Sequence, residues 1–167
     1  MPIARRCRKC SSASVTGPEV RFLSTRPRAQ SAQIVIVVDA SVLMVALADD
    51  SKDGDRARNR LLGEVLFAPE LIDLEFASAL RRLVLAGELD GRRAESALLD
   101  LFDVPLSRGS HLPLLTRCWE LRSNRTIYDS AYVALAEAIG CSLLTADPRL
   151  ANAPGFDCPV EIIGTSA

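Results

Sequence analysis

The chain is predicted to form an α/β domain with a central parallel sheet and helices on both faces. Its aliphatic runs, such as Ile34–Val38 and Ser142–Thr145, are too short for typical helices and are typical of strands buried on both faces. The segments between these runs carry apolar residues at steps of three and four, which indicates amphipathic helices. Strands that alternate with helices favour parallel pairing through right-handed crossovers.

The composition fits one domain with an N-terminal extension. Of 167 residues 49% are hydrophobic, enough for a sizeable core, and no apolar run approaches the roughly 20 residues that span a bilayer. Residues 1–33 hold seven of the 20 basic residues and one of the 21 acidic ones, which leaves 13 basic and 20 acidic residues in the 34–167 body, a net charge of −7. Such an acidic body binds polyanions poorly unless metal ions or local arginines intervene.

The basic extension, residues 1–33, is rich in Arg, Ser and Pro and shows neither helical nor strand periodicity. Disorder is the default expectation for such a composition. An Arg- and Ser-rich start also imitates an organellar transit peptide. A third interpretation places the natural start of the protein near Ile34, and the sequence does not decide among the three.

The five cysteines show no spacing typical of a disulfide framework. Cys118, Cys141 and Cys158 lie in apolar contexts and are predicted to be free thiols in a reducing cytoplasm. The pair Cys7 and Cys10 lacks the second pair that a zinc ribbon needs. The sequence therefore favours a cytoplasmic protein that is not held together by disulfides or zinc.

The first half of the predicted domain alternates short helices and strands. After the first strand we expect a helix over Ser41–Ala48, a helix over Arg56–Leu62, a strand over Val65–Ala68, a helix from Pro69 to Gly87 and a helix from Asp90 or Gly91 to Phe102. The acidic run between the first two helices, residues 49–55, lacks the spacing of a calcium loop and is expected to be a solvated loop.

The second half continues the pattern. We expect a short strand over Val104–Leu106, a helix over Leu112–Leu121 with Trp119 on its apolar side, a helix closed by Gly140, the strand Ser142–Thr145 and a last strand over Pro159–Ile163. The helix that Gly140 closes has five predicted core residues: Tyr128, Ala131, Tyr132, Leu135 and Ile139.

Two carboxylates follow predicted strands directly. Asp39 ends the first strand and Asp147 ends Ser142–Thr145, so both are expected at the same edge of the sheet, where open α/β sheets bind ligands. Each also has a structural explanation. Asp39, with Ser41, is a good helix N-cap, and Asp147 is a good N-cap before a proline at the first helical position.

Two further carboxylates lie on helices that can close over this edge. Glu75 borders the apolar face of its helix, and Asp129 lies in the first turn of another helix. Neighbouring carboxylates repel one another unless they are protonated or hold cations. Oxygen ligands without His or Cys select hard ions, so the sequence predicts a site for Mg²⁺ or Mn²⁺.

The sequence around these carboxylates resembles the PIN-domain ribonucleases, specifically the VapC toxins of bacterial toxin–antitoxin pairs. The resemblance runs from Ile34 to Gly164. It rests on four motifs: Val-Val-Asp39-Ala-Ser41; Ala-Pro-Glu-Leu-Ile-Asp-Leu-Glu75 followed by Ala-Leu-Arg-Arg; Tyr-Asp129-Ser-Ala-Tyr-Val-Ala-Leu-Ala-Glu; and Leu-Leu-Thr145-Ala-Asp147. All four acidic positions follow the order and spacing of that family.

The resemblance implies a single PIN-like domain and a Mg²⁺-dependent endoribonuclease toxin that cleaves structured RNA, such as tRNA or rRNA. It implies Asp39 and Asp129 as principal metal ligands, Glu75 and Asp147 as further ligands, Ser41 and Thr145 as residues that orient ligands or water, and Arg82, Arg125 and Arg149 as phosphate contacts. It also implies an inhibitory antitoxin and a homodimer. The helix Ser41–Ala48 and the region around Phe76 form a candidate antitoxin surface, although core packing explains the same residues.

Other classes fit the residues less well. Phospho-acceptor domains need a lysine, and the only lysine in the body is Lys52, in a polar loop. A nucleophilic hydrolase needs a base, and His111 is the only histidine, without a Ser or Cys motif around it. A flap-endonuclease type of DNA nuclease needs more chain than is available. A PIN-fold binding module with a catalytically weak site, acting through a protein partner, remains the alternative.

Overall fold

A computed structural model describes residues 33–164, so the predictions for residues 1–32 and for the last three residues lie outside the described part of the chain. The strands are β1 (Val35–Val38), β2 (Val65–Pro69), β3 (Leu106–Gly109), β4 (Ser142–Thr145) and β5 (Val160–Ile162). The helices are α1 (Ala40–Ala48), α2 (Lys52–Leu61), α3 (Ile72–Ala86), α4 (Gly91–Asp103), α5 (Leu115–Glu120), α6 (Ile127–Ile139) and α7 (Pro148–Ala151). Single 3₁₀ turns, Leu112–Leu114 and Leu121–Ser123, flank α5.

The five strands form one parallel sheet in the order β3-β2-β1-β4-β5. In the central strand β1, the successive residues Ile36, Val37 and Val38 are at most 1% exposed. Because successive side chains point to opposite faces, both faces of β1 are covered, as the aliphatic run predicted. The chain builds outward from β1 through β2 and β3, and β4 and β5 then extend the other side. The carboxyl ends of β1 and β4 therefore flank the switch point at which such sheets bind ligands.

Two groups of helices cover the sheet. Helices α1 to α4 pack on one another, while α6 packs against α5 and against β1, β2 and β4. Five apolar residues were predicted for one face of α3, of which Ile72, Phe76 and Leu80 are buried, whereas Ala79 and Leu83 are half-buried and line a cavity. Gly87 and Gly140 end α3 and α6 with positive φ, the left-handed conformation that favours glycine at a helix end. Within residues 33–164 no helix has the length and hydropathy needed to cross a membrane.

The acidic run after α1 is not the solvated loop that the sequence predicted. Helix α2 begins at Lys52 rather than Arg56, because the Ser51 hydroxyl caps it by accepting a 3.1 Å hydrogen bond from the Asp53 amide. Asp53 is itself buried and pairs with Arg56 at 3.0 Å. Acidic residues in a first helical turn are stabilised by the helix dipole, so this run starts a helix.

Other boundaries also differ from prediction. Pro69 ends β2 instead of opening the next helix, and the third strand is Leu106–Gly109 rather than Val104–Leu106. The predicted helix Leu112–Leu121 is interrupted by the two 3₁₀ turns, and Trp119 is 63% exposed rather than packed in the core. Tyr128, also predicted for the core, is 64% exposed.

Candidate active site

Asp39 lies where β1 ends and α1 begins, and its side chain is almost completely buried. Its backbone occupies the N-cap position, but its carboxylate makes no capping hydrogen bond, so the helix-cap interpretation of Asp39 is wrong. Instead Oδ2 accepts hydrogen bonds from the hydroxyls of Ser41 (2.5 Å) and Thr145 (2.8 Å). The end of β1 therefore presents a fixed carboxylate rather than a helix cap.

Hydrogen bonds also hold the segment after β4 next to Asp39. The Thr145 hydroxyl oxygen accepts a 3.0 Å hydrogen bond from the Asp147 amide, and the Ser41 hydroxyl oxygen accepts one of 3.0 Å from the Ala146 amide. One carboxylate oxygen of Asp147 accepts a 2.8 Å hydrogen bond from the Arg149 amide, which confirms the predicted N-cap of α7. Asp147 therefore caps a helix and also lies beside Asp39 at the edge of the sheet.

Glu75 and Asp129 come from helices on either side of this edge. Glu75 lies in the first turn of α3, and its Oε2 accepts a hydrogen bond from the buried Tyr132 hydroxyl. Asp129 lies in the first turn of α6, where its amide donates a 3.1 Å hydrogen bond to the Thr126 hydroxyl oxygen that caps the helix. Both helices thus turn their N-terminal ends, which favour negative charge, towards the carboxyl edge of the sheet.

All four predicted carboxylates line one cavity of about 940 Å³: Asp39, Glu75, Asp129 and Asp147. The lining contains one cation, Arg82, and no His, Cys or Lys. None of the four carboxylates forms an ion pair with any residue in the described range. In that range no three His, Cys, Asp or Glu side chains are gathered tightly enough to form a ready-made set of metal ligands.

The charges of these side chains influence one another. Burial raises the pKa of Asp39 above its ordinary value, the hydroxyls of Ser41 and Thr145 oppose that rise, and the charge of Asp129 adds to it. Burial also raises the pKa of Glu75; the Tyr132 hydroxyl opposes this, and the charges of Asp39 and Asp129 add to it. The charge of Asp129 therefore disfavours the ionised forms of both Asp39 and Glu75, and the charge of Asp39 disfavours that of Glu75.

The donor chemistry of the cavity fits a divalent cation. Beside the four carboxylates, its polar lining residues are Ser41, Ser78, Tyr128 and Arg82. Carboxylate and hydroxyl oxygens are the donors that Mg²⁺ and Mn²⁺ prefer. The cavity is thus suited to a hard divalent ion.

Comparison with known proteins identifies the family. Residues 36–155 match the PIN domain family. Ribonuclease VapC9 of Mycobacterium tuberculosis is 42% identical over 132 residues, which are 77% of this chain and 98% of VapC9. Ribonuclease VapC1 of the same species is 41% identical over 128 residues, 76% of this chain and 96% of VapC1. The chain belongs to the VapC ribonucleases of the PIN domain family.

Solved structures support the same fold. PAE2754 from Pyrobaculum aerophilum has a TM-score of 0.57 at 22% identity, covering 76% of this chain and 83% of that one. VapBC2 from Rickettsia felis, solved bound to a DNA fragment from its promoter, has a TM-score of 0.56 at 15% identity, covering 77% and 98%. The predicted PIN-like architecture of this VapC ribonuclease is therefore confirmed.

The three arginines predicted to contact phosphate differ in their surroundings. Arg82 lies on the cavity wall, and Arg149 is exposed next to Asp147. Arg125 instead stacks on Phe156, 4.0 Å from the ring centroid, and donates a hydrogen bond to the Pro154 carbonyl oxygen. Its Nε and Nη1 atoms are buried, and Arg125 does not line the cavity, so its contacts in the structure are with residues 154–156.

Two residues of this VapC ribonuclease were assigned only to the core by sequence. Tyr132 is buried as predicted, but its hydroxyl also donates a hydrogen bond to Glu75. The sequence signal that Tyr132 lies near the site was its spacing of three residues from Asp129, which places both residues on the same helical face. Tyr128 lines the cavity instead of packing in the core. The sequence signal for it was its position directly before Asp129, in the turn that the cavity exposes.

Proposed function

We propose that this VapC ribonuclease is an endoribonuclease toxin that depends on a bound divalent cation, Mg²⁺ or Mn²⁺, and acts in the cytoplasm. The observation that supports this most is the meeting of four carboxylates from β1, α3, α6 and the end of β4 in one cavity, without a basic residue paired to any of them in the described part of the chain. An acidic cavity of this kind repels a phosphodiester unless a cation is present. The bound cation would neutralise charge on the scissile phosphate and lower the pKa of a water molecule that attacks it.

The four carboxylates have different roles in holding the cation in this proposal. Asp39 and Asp129 are the principal ligands, and two hydroxyl donors fix the orientation of Asp39. Glu75 and Asp147 complete the set from α3 and from the end of β4. The Ser41 and Thr145 hydroxyls act through Asp39, since hydrogen bonds to a ligating carboxylate fix its orientation.

The substrate contacts follow from the rest of the cavity wall. Arg82, on α3, is placed to contact a phosphate that flanks the cleaved bond, and Arg149 is a second candidate. The exposed ring of Tyr128 lies directly before Asp129 and offers a surface on which a nucleobase can stack. These contacts favour RNA with unstacked bases, such as a tRNA or rRNA loop, as the substrate.

The proposed activity is tested with purified protein and a mixture of tRNA and rRNA. Cleavage is expected with Mg²⁺ or Mn²⁺, none with EDTA, and none for Asp39→Asn, which removes a ligand charge while keeping the shape of the side chain. The matched control is Asp103→Asn, at the exposed end of α4, which should cleave like the natural protein. Cleavage by Asp39→Asn at the natural rate would refute the assignment of the site.

An antitoxin partner is part of the proposal. Phe76, predicted to lie near the antitoxin surface, is completely buried and cannot contact a partner. Among the accessible apolar residues on α1 and α3, Met44, Val45 and Leu74 line the cavity. We place the antitoxin segment there and expect a homodimer of the toxin, which light scattering of the purified protein measures directly. A protein that binds antitoxin but cleaves no RNA under any metal condition would support the alternative, a binding module with a weak site.

A further inference from the structure

We propose that Tyr132 is a positioning residue that holds Glu75 in the orientation needed to bind the divalent cation. This inference rests on the proposed function, since it concerns the same cation. It adds a residue that is neither a carboxylate nor a ligand. The inference rests on the hydrogen bond between Tyr132 and Glu75 and on their positions on two different helices, α6 and α3.

The contact joins helices α6 and α3. Tyr132 lies on α6 and is 1% exposed, and its hydroxyl donates a hydrogen bond to Oε2 of Glu75 on α3. In residues 33–164 this is the only hydrogen bond between α3 and α6. Helix α3 packs on α1 and α4, whereas α6 packs on the sheet and α5, so these helices are positioned by different neighbours. The bond fixes the Glu75 side chain relative to α6.

The position of Tyr132 on α6 makes this bond relevant to the cation. Tyr132 follows Asp129 by three residues, so both side chains lie on the same face of the helix. One turn of α6 therefore supplies the Asp129 carboxylate directly and holds the Glu75 carboxylate of α3 through a hydrogen bond.

The geometry leaves one oxygen of Glu75 for the cation. The Tyr132 hydroxyl occupies Oε2, and Oε1 receives no hydrogen bond from any described residue. A free glutamate side chain loses roughly 1.5–2 kcal/mol of rotamer entropy when it is fixed. The hydrogen bond from the buried Tyr132 ring restricts the rotamers of Glu75 before the cation binds. Less rotamer entropy is therefore lost on binding. Removing a partner of this kind weakens metal affinity by about 10- to 100-fold.

The test compares two variants that each lose one hydroxyl. Tyr132→Phe removes the hydroxyl that contacts Glu75, and Ser96→Ala removes an exposed hydroxyl on α4, outside the cavity. Mn²⁺ affinity is measured by calorimetry or by the electron paramagnetic resonance signal of free Mn²⁺, without RNA. We expect Mn²⁺ affinity to fall about 10- to 100-fold for Tyr132→Phe and to stay unchanged for Ser96→Ala.

A double-mutant cycle separates positioning from a general effect on packing. Glu75→Gln should weaken Mn²⁺ binding, and adding Tyr132→Phe to it should weaken binding no further, because the hydroxyl acts only through Glu75. Additive losses in the double variant would mean that Tyr132 acts through packing, and would overturn the inference.

A second measurement covers the case in which Tyr132→Phe does not fold. The chain has two tyrosines, so protein labelled with 3-fluorotyrosine gives two fluorine resonances, which Tyr128→Phe assigns. We expect the Tyr132 resonance to shift in Glu75→Gln and on addition of Mg²⁺. A natural protein that does not bind Mn²⁺ would refute the proposed function. Mn²⁺ binding with equal affinity for Tyr132→Phe, or a Tyr132 resonance that stays fixed in Glu75→Gln, would refute the role of Tyr132 alone.

Discussion

The hydroxyl of Thr145, at the end of β4, donates a 2.8 Å hydrogen bond to the carboxylate of Asp39, at the end of β1. Thr145 is fully buried, and 106 positions of sequence separate the two residues. The bond forms because β1 and β4 are neighbours in register, with Val38 beside Leu144. It links the two strands whose ends carry Asp39 and Asp147.

Replacing Thr145 by valine keeps the shape of the side chain and removes this donor. We expect Thr145→Val to lower the free energy of unfolding by about 1–3 kcal/mol, because a buried carboxylate loses a charge-assisted hydrogen bond. RNA cleavage should fall with it. Urea unfolding and a cleavage assay measure the two effects, and Thr145→Ser, which retains the hydroxyl, is the control. A Thr145→Val protein as stable and as active as Thr145→Ser would contradict this expectation.

Asp39→Asn is expected to make the metal-free protein more stable while it abolishes cleavage. Burial raises the pKa of Asp39 above its ordinary value of 3.8, so the native state holds this proton to higher pH than the unfolded chain does. The contribution of the group to stability is full below about pH 3.8 and is lost as the pH rises through the native pKa. At neutral pH the buried, ionised carboxylate of Asp39 therefore lowers the stability of the natural protein. The uncharged asparagine of the variant has no such effect.

The measurement is thermal or urea unfolding in EDTA at pH 5 and pH 7. We expect Asp39→Asn to be more stable than the natural protein at pH 7, by about 0.5–2 kcal/mol. The difference should shrink as the pH approaches 4. Asp103→Asn, which changes an exposed aspartate, should show no such pH-dependent gain. The expectation fails if Asp39→Asn is the less stable protein at pH 7.

A divalent cation should stabilise the folded protein through the same carboxylates. At a Mn²⁺ concentration 100 times its dissociation constant, binding to the folded state alone adds about 2.7 kcal/mol to the free energy of unfolding. We expect the melting temperature of the natural protein to rise with Mn²⁺ and that of Asp39→Asn to rise far less. KCl at matched ionic strength controls for screening. Equal increases in both proteins would place the ion outside this cavity.

Substituting each of two adjacent arginines on α3 distinguishes a specific phosphate contact from a general effect of net charge on RNA binding. Arg82 lines the acidic cavity, whereas Arg81 lines a separate groove between α3 and α4. We expect Arg82→Ala to raise the KM for RNA and to reduce the salt dependence of binding by about one unit of slope, while Arg81→Ala changes neither. Binding isotherms at several salt concentrations measure the slope. Equal effects of the two substitutions would argue against a phosphate contact at Arg82.

The sequence predicted the centre of the fold better than its edges. The aliphatic run before Asp39 and the run before Asp147 identified β1 and β4 correctly, because strands buried on both faces leave an unambiguous apolar signal. From these strands the parallel sheet placed both aspartates at one edge. The pairing of Tyr132 with Glu75 had no such signal, since a hydroxyl on a buried helical face does not reveal which element it meets.

The errors have two physical causes. Around Trp119 the chain passes from a 3₁₀ turn into six residues of α-helix and back, and the change from 3.0 to 3.6 residues per turn breaks the periodicity that assigned this residue to the core. Tyr128 has the correct helical phase, but it lies in the first turn of α6, next to the cavity rather than the core.

The position of β4 late in the chain has a consequence during synthesis on the ribosome. Until β4 emerges, β1 is an edge strand with unpaired backbone groups, and Asp39 lacks the Thr145 hydroxyl that fixes it. A nascent chain, or one terminated early, thus carries Asp39, Glu75 and Asp129 without the strand that assembles them. The cavity that all four carboxylates line is therefore complete only after the chain has been synthesised through Asp147.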